Sequence, residues 1–394
     1  MHQIPGLRRS GNDPEPVILL APDSFKGSCS AREACEALAA GIRAAGARAR
    51  IVSLPMSDGG SGCLEAILHA QGGKKISVQV HDPLMRQIVA EIGIPGSGGC
   101  AVIEMASASG LTLLKSEERD PTRTTTYGTG ELIKAALDQN VSKIIVGIGG
   151  SATTDGGIGA AQALGCRFLD EKGAPLPKGL AGGDLKKIRS FDLAARDERI
   201  SGIEIIVACD VDNPFTGPTG AARIYSPQKG ASPEKVEELE QGLCQLGFLV
   251  RKHLGIDLNG IPGAGAAGGL GGGMAAFSGA KLVRGIDVVM EATRFREKLE
   301  KADLVLTGEG SLDSQTLHGK TISGIIREAK KAGVPVIALT GSLGTNIESL
   351  YEHGLTAALC INPHGIPLET AMREVLKNIR TTTENLVRML IDTP

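Results

Sequence analysis

Residues 17–28, VILLAPDSFKGS, show the pattern on which this chain is built. The apolar run at 17–21 is typical of a buried strand, and the Pro, Asp, Ser and Gly after it are typical of a loop. Ser30 and Glu33 then have the spacing of a capping box, which predicts that a helix begins there. The stretch therefore predicts a strand, a glycine-containing loop and a helix, in that order.

The same arrangement recurs along the chain. Further strand-like runs that lead into glycine or acidic loops are ARIVSL at 49–54, KIIVGI at 143–148, IEIIVA at 203–208, DLVLT at 303–307 and PVIALT at 335–340. Helical patterns follow two of these loops, at 63–70 and 322–331. Strands that alternate with helices indicate parallel βαβ units, so the predicted fold class is α/β.

The middle of the chain differs from its two ends. Residues 75–105 contain three short strand patterns joined by turn residues, which predicts an antiparallel meander. Residues 233–254 predict one long amphipathic helix. We therefore expect a discontinuous, doubly wound α/β domain at 17–80 and 285–394, with a mixed α+β domain at 81–284 inserted in it.

Composition excludes several classes of function. With 42 Lys plus Arg, 44 Asp plus Glu and 3% aromatic residues, the chain has neither the charge nor the rings of a nucleic-acid binder. The eight cysteines form no CxxC or zinc-ligand spacing and predict reduced thiols in a cytoplasmic protein. Residues 258–280 are uncharged but rich in glycine, so we expect no membrane helix. Residues 1–16 lack the apolar core of a secretory signal and are predicted to be a disordered tail.

The glycine loops also carry carboxylates. These are Asp23, Asp58, Asp155, Asp210, Glu309 and Asp313. Glycine lets backbone N–H groups approach an anion, and carboxylates hold Mg²⁺ against phosphate oxygens. Together with Lys26 in the first loop, the set predicts phosphoryl transfer. The alternative for each acid is a helix N-cap, and the alternative for Lys26 is a solvated surface lysine.

Two nucleotide-binding motifs are only partly matched. Residues 319–321, GKT, resemble the end of a Walker A loop, but Ser314 occupies the position of its first glycine, so this is no P-loop. Residues 263–268, GAGAAG, match GxGxxG but follow LNGIP rather than a strand. The alternatives for that segment are a dinucleotide-binding turn, a packing loop and a hinge.

The motifs resemble, in their order, those of one known family. They are APDSFKGS, MSDGGSG, AVIEMASASGL, TTTYGTGELI, GIGGSATTDGG, CDVDNPF, PQKGA, GAGAAGGLGGG, TGEGSLDSQTLHGK and LTGSLG. They span residues 17 to about 385, and the chain resembles the bacterial glycerate kinase family, which includes the glycerate 2-kinases. The resemblance implies a Rossmann-like or flavodoxin-like domain beside a second α/β domain. It also implies phosphorylation of D-glycerate by ATP with Mg²⁺, on the 2-hydroxyl.

Three residues depart from the family pattern. Thr154 stands where Asn is usual, Ser311 where Arg is common and Met85 where Gly is common. If that arginine holds phosphate in the family, Lys26 or Lys320 must supply the cation here.

Matching charge to this chemistry assigns roles to the loop residues. We predict Lys26, Asp155 and Asp313 to be catalytic: Lys26 faces the phosphates or the substrate carboxylate, and one of the two acids accepts or orients the hydroxyl proton. We favour Asp155 as this base because it follows the hydroxyls of SATT. Asp58 and Asp210 are assigned to Mg²⁺ or to substrate hydroxyls. The predicted substrate- and phosphate-binding residues are Asp23, Ser24, Gly59, Gly60, Gly149, Gly150, Ser151, Glu309 and Lys320.

The expected partners are therefore small molecules, D-glycerate and ATP, and a homodimer is left open. Two other functions also remain open at this point. One is an NAD-dependent dehydrogenase of a small hydroxy acid that uses residues 263–268, and the other is a non-catalytic sensor of sugar acids.

Overall fold

The computed structural model describes residues 15–313 and 321–390. Its strands are β1 (Val17–Leu20), β2 (Arg50–Ser53), β3 (Gly73–His81), β4 (Gln87–Pro95), β5 (Cys100–Glu104), β6 (Lys143–Gly147), β7 (Arg167–Leu169), β8 (Ser190–Asp192), β9 (Glu204–Ala208), β10 (Lys281–Val283), β11 (Leu304–Leu312), β12 (Val336–Leu343) and β13 (Ala357–Cys360).

The α-helices alternate with these strands along much of the chain. They are α1 (Ala31–Ala44), α2 (Cys63–Gln71), α3 (Ala106–Ser109), α4 (Tyr127–Leu137), α5 (Ile158–Ala163), α6 (Ala221–Tyr225), α7 (Pro233–Leu254), α8 (Ala266–Ser278), α9 (Gly285–Ala292), α10 (Phe295–Leu299), α11 (Thr321–Ala332), α12 (Glu348–His353), α13 (Leu368–Arg373) and α14 (Val375–Leu390).

The predicted strand, loop and helix at the start of the chain are confirmed. The loop after β1 leads into α1, and the capping box at its N-terminus is complete. Ser30 Oγ accepts a hydrogen bond from the Glu33 N–H (3.2 Å), while Glu33 Oε2 accepts one from the Ser30 N–H (2.8 Å). Two of the N–H groups that a helix start leaves without intrahelical partners are thereby satisfied.

The described chain divides into two units. The first comprises the residues up to Asp58, Glu65–Ala70 and the residues from Ile286 onward. The second comprises Gly59–Leu64 and Gln71–Gly285. Residues 1–14, most of the predicted tail, lie outside the described residues.

The first unit contains a five-stranded, fully parallel sheet in the order β13-β12-β11-β1-β2. Ile18 pairs with Leu304 on one side and with Ile51 on the other. Ile18, Leu19 and Leu20 are fully buried, as expected for a parallel strand that is covered on both faces. Because the strands are parallel, the loops at their carboxyl ends all open at one edge of the sheet.

The second unit contains a mixed six-stranded sheet in the order β10-β9-β6-β5-β4-β3. The predicted meander is confirmed, since β4 pairs antiparallel with both β3 and β5. The pairings between β5, β6, β9 and β10 are parallel. Most of β3 falls in residues 17–80, which are predicted to belong to the first domain, but its pairing with β4 puts it in this sheet.

The long helix predicted at 233–254 is confirmed as α7. Ser232 caps its N-terminus by accepting a hydrogen bond from the Lys235 N–H, and Gly255 ends it with φ 71°. The predicted α/β class is likewise confirmed: the described residues form one parallel sheet, one mixed sheet and a two-stranded antiparallel sheet of β7 and β8. Within residues 15–313 and 321–390, no helix combines the length and apolar content needed to cross a bilayer.

Candidate functional site

A cleft with a volume of ≈ 440 Å³ opens at the carboxyl edge of the first unit's sheet. Its polar lining comes from the loops after β1, β2 and β13 and from the last residues of β11 and β12. These residues are Asp23, Ser24, Lys26, Ser28, Asp58, Glu309, Gly310, Ser311, Gly341, Ser342 and Asn362. The remaining wall is apolar and consists of Phe25, Leu368, Ala371, Met372 and Val375.

Five of the predicted site residues meet in this cleft: Asp23, Ser24, Lys26, Asp58 and Glu309. They come from three separate parts of the chain, and the parallel arrangement of β1, β2 and β11 brings them to one edge. The grouping places a cation and three carboxylates around one small volume. Such a set suits a ligand that carries negative charge together with a metal ion.

The pKa of Asp23, one of the acids of the cleft, is raised. Its Oδ1 accepts a hydrogen bond from the Ser24 N–H (2.5 Å), and its Oδ2 accepts one from the Thr321 hydroxyl. Burial, and next the charge of Asp58, raise the pKa of Asp23 to about 6, although these hydrogen bonds oppose the rise. Two carboxylates that repel each other in this way would be relieved by a cation bound between them.

Lys26 supplies the positive charge of the cleft. Its side chain is exposed, and its ammonium forms no ion pair with any residue in the described part of the chain. A phosphate or carboxylate that enters the cleft would therefore meet a cation that no carboxylate of the described residues neutralises. Ser311, at the position where the family often has arginine, accepts a hydrogen bond from Ser342 Oγ (3.0 Å) and adds no charge.

A second cluster of predicted residues lies in the second unit, at the loop after β6. A Cβ added to Gly149 would lie 2.8 Å from Gly60 Cα, and one added to Gly147 would lie 2.4 Å from Gly59 O. Gly150 has φ 76°, a conformation that favours glycine. The structure thus packs two predicted glycine loops, 59–60 and 149–150, directly against each other.

Asp155 is fully buried in this cluster. Its Oδ2 accepts hydrogen bonds from the Thr126 N–H (2.8 Å), the Thr126 hydroxyl (2.7 Å) and the Gly159 N–H (3.3 Å), and its Oδ1 accepts one from the Gly157 N–H (3.1 Å). Burial raises the pKa of Asp155 despite these bonds. The geometry favours the capping alternative, because the carboxylate ties the start of α5 to residue 126. Its role as a base remains a prediction.

The sequence predicts no role for Lys229, and only its position within the PQKGA motif (227–231) indicates that it could be functional. The side chain is 1% exposed, and its Nζ donates to Ser151 Oγ (2.7 Å) and to Thr153 O (2.6 Å). Burial lowers the pKa of Lys229 to about 7, although the charge of Asp155 opposes the shift. A buried lysine therefore holds the loop that contains the predicted anion-binding residue Ser151.

The other predicted residues are placed as follows. Asp210, after β9 in the second unit, accepts a hydrogen bond from the Gly285 N–H (3.0 Å). Asp313 follows β11, and a Cβ added to Gly344 would lie 2.8 Å from its Cβ. Lys320 lies outside the described residues.

No group of three or more His, Cys, Asp or Glu side chains in the described ranges has the geometry of a metal site. Protein kinases and related enzymes hold Mg²⁺ with one or two carboxylates plus substrate phosphates, so this finding is compatible with a metal that arrives with its nucleotide. The assignments of Asp58 and Asp210 to Mg²⁺ remain predictions.

The GAGAAG segment (263–268) packs against neighbouring backbone and does not form an open, ligand-accessible turn. A 3₁₀ turn, Leu258–Gly260, precedes it instead of a strand. A Cβ on Gly265 would lie 2.1 Å from Pro214 O, and one on Gly268 would lie 1.9 Å from Thr153 O. The glycines here accommodate neighbouring backbone, which supports the packing-loop alternative over a dinucleotide-binding turn.

Comparison with known proteins extends these observations. The sequence profile of the glycerate kinase family matches residues 18–391. A glycerate kinase of Halalkalibacterium halodurans is 48% identical over 358 residues, which cover 91% of this chain and 94% of that protein. The glycerate 2-kinase of Escherichia coli is 43% identical over 373 residues, which cover 95% and 97% of the two chains.

A solved structure agrees with the fold as well. The crystal structure described as that of a glycerate kinase 2 from Salmonella typhimurium LT2 superimposes with a TM-score of 0.84 at 43% identity. The superposition covers 95% of this chain and 98% of the Salmonella typhimurium chain. The fold is thus that of an α/β protein with a charged cleft at the edge of a parallel sheet. The chain belongs to the glycerate kinase family, and the predicted enzyme class, a kinase, is confirmed.

Proposed function

We propose that this enzyme transfers the γ-phosphoryl group of ATP to D-glycerate, with Mg²⁺ as the metal and 2-phospho-D-glycerate as the product. The observation that carries the proposal is the meeting of Lys26 with Asp23, Asp58 and Glu309 in one cleft of the first unit. Phosphoryl transfer needs a cation and metal-holding acids at one place, and this cleft offers both.

The reaction sets the tasks of the individual residues. The 2-hydroxyl oxygen forms a bond to the γ-phosphorus, the bond from that phosphorus to ADP breaks, and the hydroxyl proton passes to the predicted base, Asp155 or Asp313. Lys26 stabilises the charge of the phosphoryl oxygens. Asp58, next to Asp23, would hold Mg²⁺, which neutralises phosphate charge when it is bound. Ser24 and the hydroxyls at the ends of β11 and β12 would orient the phosphates.

The strand order of the first unit supports the position of the site. Numbered within the unit, β13-β12-β11-β1-β2 reads 5-4-3-1-2, which is the flavodoxin-like doubly wound order. In such sheets ligands bind beyond the carboxyl ends at the point where the order reverses. Here that point lies between β1 and β11, the strands next to Asp23 and Glu309.

A coupled assay of ADP release tests the proposal. Activity is expected with D-glycerate and Mg·ATP, and not with glycerol or when EDTA removes the metal. NMR of the product should show the phosphate on carbon 2. A phosphate on carbon 3 would overturn the 2-hydroxyl assignment. NADH formation from a hydroxy acid, without ADP release, would support the dehydrogenase alternative instead.

A further inference from the structure

One wall of the first unit's cleft is apolar and partly uncovered. Leu368, on α13, is 76% exposed, which makes it the most exposed large apolar side chain in the described part of the chain. Ala371, Met372 and Val375 continue the same wall, which is formed by α13 and the start of α14. Isolated exposed leucines are common, but this one lines a concave site together with other apolar side chains.

The apolar wall adjoins the charged loop after β1. A Cβ added to Gly27 would lie 3.0 Å from Met372 Cε, so the methionine rests on the turn that follows Lys26. A molecule that contacts Lys26 with an anionic group therefore has an apolar surface beside it. The residues that line the cleft extend from the loop after β2 to the loop after β13, the two outermost strands of the sheet. At about 4.8 Å between neighbouring strands, the distance from β2 to β13 is roughly 19 Å.

The two proposed substrates differ in how well they fit such a site. Glycerate is short and carries only a carboxylate and hydroxyls, so it has no group that would cover Leu368. ATP combines a triphosphate with a flat, largely apolar base. A volume of ≈ 440 Å³ lies within the usual range for pockets that hold small ligands.

We propose that α13 and the start of α14 form the seat of the nucleobase, and that Leu368 and Met372 contact the face of the ring. The triphosphate then extends toward Lys26, Asp23 and Asp58. The proposal rests on the proposed function for the identity of the nucleotide as ATP, and it assigns the first unit's cleft to the phosphate donor rather than to the acceptor.

Fluorescence can test this seat directly because the chain contains no tryptophan. Leu368→Trp introduces a single indole at the proposed seat. Phe248→Trp, at a position on α7 in the second unit that is 65% exposed, provides a matched control. Mg·ATP should quench the emission of the first variant in a saturable manner. Inorganic tripolyphosphate, which has the charge but not the base, should leave it nearly unchanged, and the control should respond to neither.

The possible outcomes separate this proposal from the proposed function. If calorimetry shows ATP binding and turnover continues, but the indole at 368 does not respond, the base seat is wrong and the kinase assignment stands. An equal response to ATP and tripolyphosphate also overturns the seat. If the parent protein neither binds ATP nor turns it over, both proposals fail.

A second pair of variants avoids dependence on the new indole. Leu368→Asn should raise KM for ATP about tenfold by removing apolar contact, while KM for glycerate and kcat change less than twofold. Met389→Asn, at a 73% exposed position near the end of α14 and outside the cleft lining, should leave all three unchanged. Equal effects of the two substitutions would contradict the seat. Loss of a dimer in sedimentation on Leu368→Asn alone would also contradict it, by identifying the face as a contact between copies.

Discussion

Single side chains decide the electrostatics of the first unit's cleft. Lys26 has no ion-pair partner among the described residues, whereas the charge of Asp58 helps to raise the pKa of Asp23. The cleft therefore suits a ligand that carries both an anionic group, which Lys26 can bind, and a cation, which the two acids can bind. A metal–nucleotide complex has this composition.

Replacing Lys26 by methionine should lower kcat/KM about 100-fold, or roughly 2.7 kcal/mol, because no other described cation lines the cleft. Lys26→Arg should also be impaired, since a planar guanidinium does not occupy the place of an ammonium group. Steady-state kinetics with Mg·ATP and D-glycerate provide the measurement. Lys74→Met, at an exposed position on β3, is the control. Normal activity of Lys26→Met would show that Lys26 is a solvated surface lysine with no role in catalysis.

Asp23→Asn should stabilise the metal-free protein at neutral pH. The folded-state pKa of Asp23, about 6, exceeds its ordinary value of 3.8, so ionisation of this group costs stability. Protonated Asp23 favours folding fully below pH 3.8, and this contribution is lost as the pH rises through 6. At pH 7 we expect a gain of about 1 to 2 kcal/mol in the unfolding free energy of the variant, after allowance for solvent screening at this half-buried group. Denaturant titrations in EDTA at pH 7 and pH 4 should show that the gain vanishes at pH 4. A gain that is the same at both pH values would refute ionisation of Asp23 as its cause.

Asp155→Asn separates capping from catalysis. The carboxylate accepts four hydrogen bonds, and an amide would turn an NH₂ group toward some of these donors. The unfolding free energy should fall by about 2 to 3 kcal/mol, with a lower Tm. Asp313→Asn serves as the comparison and should change stability less. If Asp155→Asn is as stable as the parent but has lost most of kcat and the acidic limb of its pH profile, Asp155 is the base.

At the scale of elements, close backbone approaches set the positions of the helices. Gly41 lies in α1 where that helix crosses α14, and a Cβ there would be 2.5 Å from Arg380 O and 2.6 Å from Thr383 Cβ. A Cβ added to Gly247, in α7, would have only Phe215 ring atoms of the described residues within 4 Å, at 3.7 Å or more. The same residue type therefore serves close packing in one helix and has no steric role in the other.

Alanine at these two positions should act in opposite directions. Gly41→Ala should destabilise the protein by about 1 to 3 kcal/mol, because α1 and α14 must separate to admit the methyl group. Gly247→Ala should stabilise it by about 0.5 to 1 kcal/mol, because alanine favours a helix more than glycine does. Thermal unfolding of both variants provides the comparison. Stabilisation by Gly41→Ala would show that the crossing has room that the structure does not suggest.

At the scale of the whole molecule, ligand binding should appear as a gain in stability. A ligand that binds only the folded state at 100 times its Kd adds about 2.7 kcal/mol to the unfolding free energy. Mg·ATP should therefore raise Tm by several degrees, while NAD at the same concentration should not, because the GAGAAG segment is filled by neighbouring backbone. A rise with NAD alone would contradict the packing assigned to residues 263–268.

The local structure of this chain was largely predictable from sequence. The capping box at Ser30 and Glu33, the apolar strands of the first unit, the meander and α7 all follow from interactions between residues close in the chain. Such interactions depend on side-chain periodicity and on the backbone preferences of Ser, Pro and Gly, which can be recognised without knowledge of the fold. The ordered motifs were also sufficient to identify the family.

Only the tertiary structure decided which loops share a site and which charges are buried. Asp23 and Glu309 are far apart in sequence and meet because β1 and β11 are neighbours in the sheet, a pairing set by long-range packing. The sequence pattern indicated a reactive acid at Asp155 and nothing at Lys229, yet both are buried and hydrogen-bonded within one loop cluster. Burial changes the pKa of a group through desolvation, and desolvation depends on every element packed around that group. No local sequence pattern specifies this environment. The electrostatics of the first unit's cleft and of the loop cluster around Asp155 and Lys229 are therefore determined only by the folded structure.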